Sequence, residues 1–237
     1  MAAARYFLEH FYHGQLVVDG KPDPERVLIG ASSGLNPELV QAALDIAQLP
    51  PILVGDSASW ALVRGSKRIP FLLVQSQIGT LGQHIAHYVI IPSEVLRAVA
   101  GNIIALSRLI EREMPLFTQT GYRPKPLAIE QPDPETSEQQ VEAILDLMTA
   151  LQNKLDSMER LLAALVQGKQ IIIQGAPPRI DERVRFLQGL LALLPMSVRF
   201  AVTFSTYSTP TANLDVQVCF FNDETPPAES LVFLWQS

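Results

Sequence analysis

A chain of 237 residues with a hydrophobic fraction of 48% carries ample apolar material for a core, which excludes disorder over most of its length. A net charge of −6 and a pI near 5.2 argue against nucleic acid as a partner, because an acidic surface gains nothing from releasing counterions at phosphates. Cys219 is the one cysteine, which excludes an internal disulfide and a cysteine-based zinc site; no apolar stretch approaches the roughly 18 residues of a membrane span, and the expected compartment is the cytoplasm.

In chain order, the N-terminal segment reads as strands and turns. Strands are predicted over 5–11, 15–18 and 26–30, with the turn signal Asp19-Gly20-Lys21-Pro22 after the second. The period then changes. Asn36 suits a helix N-cap, Pro37 the first helical position and Glu38 the positive end of the dipole, and Pro50-Pro51 ends the segment. Strands follow at 59–64, 70–75 and 85–91. Short turns between them favour an antiparallel or mixed sheet. Leu96, Val99, Ile103, Leu106 and Ile110 step by three and four, predicting a helix over 93–113.

Five prolines between 115 and 136 resist regular structure, so this segment reads as a linker. A helix over 137–166 follows, with Ser137 and Gln140 placed for a capping box. Its apolar positions Val141, Ile144, Met148, Leu151, Leu155, Met158, Leu162 and Leu165 alternate steps of three and four, a heptad pattern. The remainder reads as strand (170–174), turn (175–178), helix (181–194) and strands at 198–204, 214–221 and 230–235. The expected fold is α+β with two small domains, each a mixed or antiparallel sheet packed with helices. The N-terminal domain spans 1–114, the proline-rich linker 115–136, and the heptad helix with a small α/β unit 137–237.

Three motifs bear on chemistry. Gly30-Ala31-Ser32-Ser33-Gly34 matches the G-x-S-x-G pattern of a hydrolase nucleophile elbow, and Ser32 with His84 or His87 is the catalytic alternative it raises. That elbow needs the serine at the mouth of a helix, whereas here the helix starts only after Leu35. His10 and His13, and His84 and His87, form two H-x-x-H pairs. Residues three apart on a strand point to opposite faces, so a shared metal site would require the two strands to be neighbours. Ile171 to Pro178 looks like a strand–loop–helix phosphate motif, but it has one glycine, two prolines and no Gly-Lys-Ser/Thr. No catalytic, cofactor or metal residues are therefore assigned. The heptad stripe either packs inside its own domain or is offered to a partner chain, and in the second case Met148, Leu151, Leu155, Met158 and Leu162 are the protein-contact residues.

Several stretches, in the same order along the chain, resemble one family. They are Glu9-His10-Phe11-Tyr12-His13-Gly14, Val27 to Leu35 with its Ala31-Ser32-Ser33-Gly34-Leu35 loop, and His87-Tyr88-Val89-Ile90-Ile91-Pro92. Gln170 to Gln174, the helix reaching Leu194-Pro195, and Phe204-Ser205-Thr206-Tyr207 complete the set. Together they resemble the N-terminal and middle domains of the GTPase-associated protein 1 family. The resemblance implies a bacterial cytoplasmic adaptor, without catalytic residues of its own. The resemblance further implies that such an adaptor works with a GTPase or its effector in a multi-component system of antiviral defence.

Overall fold

The computed structural model describes residues 5–48, 50–56, 58–99, 102, 105–106, 114–131, 135–210, 212, 214–222 and 225–235. Strand β1 (Arg5–Leu8) leads into β2 (His10–Val18), which turns through Asp19 and Gly20 into β3 (Lys21–Ala31). Both turn residues have positive φ, 49° and 75°, and Val18 pairs with Lys21. This is the two-residue Asp-Gly hairpin whose twist matches the flanking strands. The two predicted strands at 5–11 and 15–18 thus divide differently, with β2 running unbroken from His10 to Val18.

Helix α1 (Pro37–Ile46) begins as expected: the Asn36 side chain accepts a hydrogen bond from the Leu39 amide at 2.8 Å. Strands β4 (Ala58–Arg64), β5 (Phe71–Ile78) and β6 (His84–Ile91) form an antiparallel meander, followed by α2 (Ser93–Val99). Most of the rest of the predicted 93–113 helix lies outside the described residues. Inside the predicted linker, β7 (Leu127–Glu130) pairs with β1 in a two-stranded antiparallel sheet. Alternation of Leu127 and Ile129 inward with Ala128 and Glu130 outward overrides the local density of prolines.

The expected long heptad helix is two helices, α3 (Ser137–Ala150) and α4 (Leu155–Val166). Gln152 and Asn153 adopt φ of 52° and 58° between them, a left-handed reversal that no continuous helix permits. The capping box exists one residue early. Thr136 accepts from the Gln139 amide at 3.2 Å, and the Gln139 side chain accepts from the Thr136 amide at 2.8 Å. The chain continues through β8 (Ile171–Gln174), α5 (Ile180–Ala192), α6 (Met196–Arg199), β9 (Phe204–Ser205), β10 (Val218–Phe221) and β11 (Leu231–Leu234). The strand expected at 198–204 is mostly helix and turn. Arg199 is buried there because its guanidinium donates to the Leu194 and Ala192 carbonyls, both at 2.7 Å. Ala192 ends α5 and Leu194 lies just beyond it, where carbonyls have no intrahelical partners.

A sheet in each half was expected. Instead, among the described residues nine strands form one sheet in the order β11-β8-β10-β9-β4-β5-β6-β2-β3. The strands from β4 to β3 are antiparallel, those from β11 to β9 are parallel, and the two wings meet where β9 runs antiparallel to β4. Thr206 extends that junction: its amide donates to the Trp60 carbonyl at 2.8 Å, and its hydroxyl accepts from the Trp60 amide at 2.9 Å. The prolines Pro22 and Pro24 sit on β3, an edge strand, where the missing amides cost no ladder bonds. Helix α1 packs on one face, over Ala61, Val63, Leu72 and Val74. The other face carries α2 to α5, over Leu62, Leu73, Val89, Ile173 and Phe220.

Candidate functional site

Both G-x-S-x-G glycines have structural reasons to be glycine. A Cβ on Gly30 would lie 2.0 Å from the Tyr122 carbonyl oxygen, because residues 121–123 run directly over β3 with the amides of Gly121 and Tyr122 donating to the Ile29 carbonyl. A Cβ on Gly34 would collide with the Glu9 carboxylate. That carboxylate accepts from the Gly34 amide at 3.1 Å and from the Ser32 hydroxyl in a short hydrogen bond. The Ser32 oxygen in turn accepts from the His10 amide at 3.0 Å, and the Ser32 amide donates to the His10 carbonyl at 2.9 Å. Ser32 is 1% exposed. Its hydroxyl is a pin between β2 and the loop after β3, and among the described residues it meets no imidazole. Beside it lies an open cleft of about 400 Å³, walled by residues 28–33 and Leu35 on one side and 121–123 on the other.

The two H-x-x-H pairs do come onto neighbouring strands, since β2 pairs with β6. Alternation along each strand then separates their members. His10 and His87 share one face and bond through Nδ1 and Nε2 at 2.8 Å, while His10 Nε2 lies 2.8 Å from the Lys125 carbonyl. A carbonyl only accepts, so His10 carries a proton at Nε2 and donates it to Lys125. Tyr12 stacks on His87 with centroids 4.5 Å apart. This pair ties β2 and β6 to the 114–126 segment.

His13 and His84 lie on the opposite face. Burial, and secondarily the Arg26 guanidinium, hold the His13 imidazole below the usual histidine range and bring that of His84 down to about 4. His84 and His87 therefore flank β6 from opposite sides, and the Ser32 hydroxyl is engaged by Glu9 and the His10 amide. Among the described residues, no group of three His, Cys, Asp or Glu side chains could hold a metal ion. The phosphate-loop resemblance at 171–178 is spent on the sheet: the amides of Gly175 and Ala176 donate to the carbonyls of Asn222 and Phe221.

The five heptad residues are divided by the turn between α3 and α4. Leu151 is 2% exposed and belongs to the core with Leu147 and Leu161. Met158 and Leu162 are partly buried against that core, Met148 is half-buried, and Leu155 is 55% exposed. Helix α3 meets α5 along Ala143 and Leu147, where Gly189 permits contact so close that a Cβ would sit 2.3 Å from the Ala143 carbonyl. A second apolar line remains outside this contact. Val141 and Leu145 are 56% and 60% exposed, one turn apart, and Met148 continues the line. Sequence periodicity found the stripe but assigned Val141 to the inward seam and passed over Leu145. Within α3 the inward positions are Ala143 and Leu147, set by the close contact with α5 at Gly189, which a 3–4 step count cannot register.

No protein-family model matches the chain, and no curated protein matches it either. No helix among the described residues is long and apolar enough to cross a membrane.

Proposed function

We propose that this chain is a non-catalytic adaptor that binds a protein partner through the outer face of α3 and the turn into α4. The supporting observation is the apolar line Val141–Leu145–Met148, which lies outside the contact with α5, together with exposed Leu155 beyond the turn. Leucine and valine side chains each contribute about 1.5–3 kcal/mol when buried, so this line favours a docked partner. The resemblance to the GTPase-associated protein 1 family supplies the partner class: a GTPase or its effector, in a bacterial, cytoplasmic, defence-type system. The acidic net charge speaks against nucleic acid as the ligand. Ser32 as a nucleophile receives no support from a hydroxyl locked between Glu9 and the His10 amide.

Affinity purification from the native cell, with mass spectrometry, tests the reading. The expected result is stoichiometric recovery of a GTPase by the native chain, and its loss with Val141→Glu/Leu145→Glu at unchanged melting temperature. Recovery of the chain alone under gentle conditions, or retention of the partner by the double variant, would overturn it.

A further inference from the structure

The walls of the open cleft beside β3 are held by the fold itself. Gly30 and Tyr122 form a parallel bridge that joins its two sides, and the amides of Gly121 and Tyr122 donate to the Ile29 carbonyl at 2.9 and 3.1 Å. Glu9 fixes the loop after β3 through the Ser32 hydroxyl and the Gly34 amide. The Tyr122 ring is set by Phe117 and Tyr12, whose ring centroids lie 5.6 and 6.0 Å away. A site whose walls are already ordered loses little entropy when it is filled. Its volume of about 400 Å³ falls within the roughly 300–1,000 Å³ of small-molecule sites.

The lining selects the guest. Leu28, Leu35 and Tyr122 supply apolar surface, and Leu28 and Tyr122 are 39% and 45% exposed. Arg123 is the one lining residue that carries a charge. It is exposed and forms no ion pair among the described residues, in a chain where carboxylates outnumber cations. A guanidinium offers two parallel donors that match a planar carboxylate. A phosphate dianion fits less well: one cation does not balance it, and the Glu9 carboxylate behind Ser32 and Gly34 repels the second charge. A cation would meet Arg123 and no lining carboxylate.

We infer that this cleft binds a small organic monocarboxylate, its carboxylate on Arg123 and its apolar body against Tyr122, Leu28 and Leu35. The cleft is built from β3, the loop after it and residues 121–123, not from α3, so the inference does not rest on partner binding through that helix.

The test is amide NMR of the full chain, titrated with benzoate, benzamide and acetate at equal ionic strength. Benzoate carries ring and charge, benzamide the ring alone and acetate the charge alone. The expected result is saturable movement of the amides of Gly30, Ser33, Gly121 and Arg123 with benzoate, and binding of benzamide and acetate at least about tenfold weaker. Arg123→Gln, an exposed change that leaves the core intact, brings benzoate down to the level of benzamide, a loss of about tenfold, the scale of one charge-assisted contact. Four outcomes overturn the proposal. Benzoate moves none of these amides to saturation. Benzamide binds as tightly as benzoate, which leaves Arg123 without a role. Acetate binds as tightly, which marks a solvated guanidinium and not a cleft. Or Arg123→Gln binds benzoate undiminished.

Discussion

The two wings of the nine-stranded sheet are built on different principles. Strands β2 to β6 are seven to eleven residues long and pair with antiparallel neighbours, most of them through short turns. Strands β8 to β11 are two to four residues long and parallel to one another, with α5 and α6 in the connection from β8 to β9. An antiparallel hairpin closes with two residues, whereas parallel neighbours require a crossover of a dozen or more. The first wing thus holds itself by its own ladders and the second depends on the helices laid across it. Where two such unlike units share a sheet, side chains that tie them carry a disproportionate share of stability.

Arg183 is the sharpest test of that view. It is 0% exposed, pairs with Asp56 from the antiparallel wing and donates to the Thr206 carbonyl at 2.7 Å. Arg183→Ala leaves Asp56 and Thr206 unmatched, and a loss of about 3–5 kcal/mol is expected in chemical denaturation. If the wings are independent, the variant shows two transitions; if they fold together, it keeps one at lower denaturant.

Within the parallel wing, dependence on helices predicts a contrast on α3. Leu147→Ala, at a 0% exposed position, costs about 2–5 kcal/mol, whereas Leu145→Ala, at 60% exposure, stays within about 0.5 kcal/mol. Equal effects would mean that α3 does not pack on α5 through Leu147.

In the antiparallel wing, Ser32→Ala removes one hydrogen bond to Glu9 and one from His10, and about 1–2 kcal/mol is expected from thermal melts. Neither native chain nor variant should label with a serine-reactive fluorophosphonate. Labelling lost in Ser32→Ala would restore the hydrolase alternative.

A further effect is one of pH, in the same wing. The His84 imidazole is held at about 4 in the fold against 6.5 when unperturbed. Between those values the unfolded chain binds more protons, so stability falls as the solution is acidified through that window. His84→Gln should flatten the slope of melting temperature against pH there; an unchanged slope would remove His84 as its source.

Much of this was legible in the residues themselves. Asp19-Gly20 specified its hairpin, Asn36-Pro37-Glu38 its helix start, and alternating apolar residues placed β4 to β6 within about one to three residues, because these signals act over a few bonds of chain. The α+β class followed from them. The separation of His10 and His87 from His13 and His84 was also implicit in strand alternation, once both pairs were on strands.

What the chain order could not disclose is which strands become neighbours. Only tertiary structure brought β9 beside β4, where Phe204 pairs with Leu62, 142 positions earlier in the chain. Only the reversal at Gln152 and Asn153 turned a heptad count into two helices, and only the passage of residues 121–123 over β3 walled the cleft at Gly30. The residues determine local conformation through short-range sterics and hydrogen bonding. The fold decides which faces meet, because burial of apolar surface is non-directional and many local patterns satisfy it equally well.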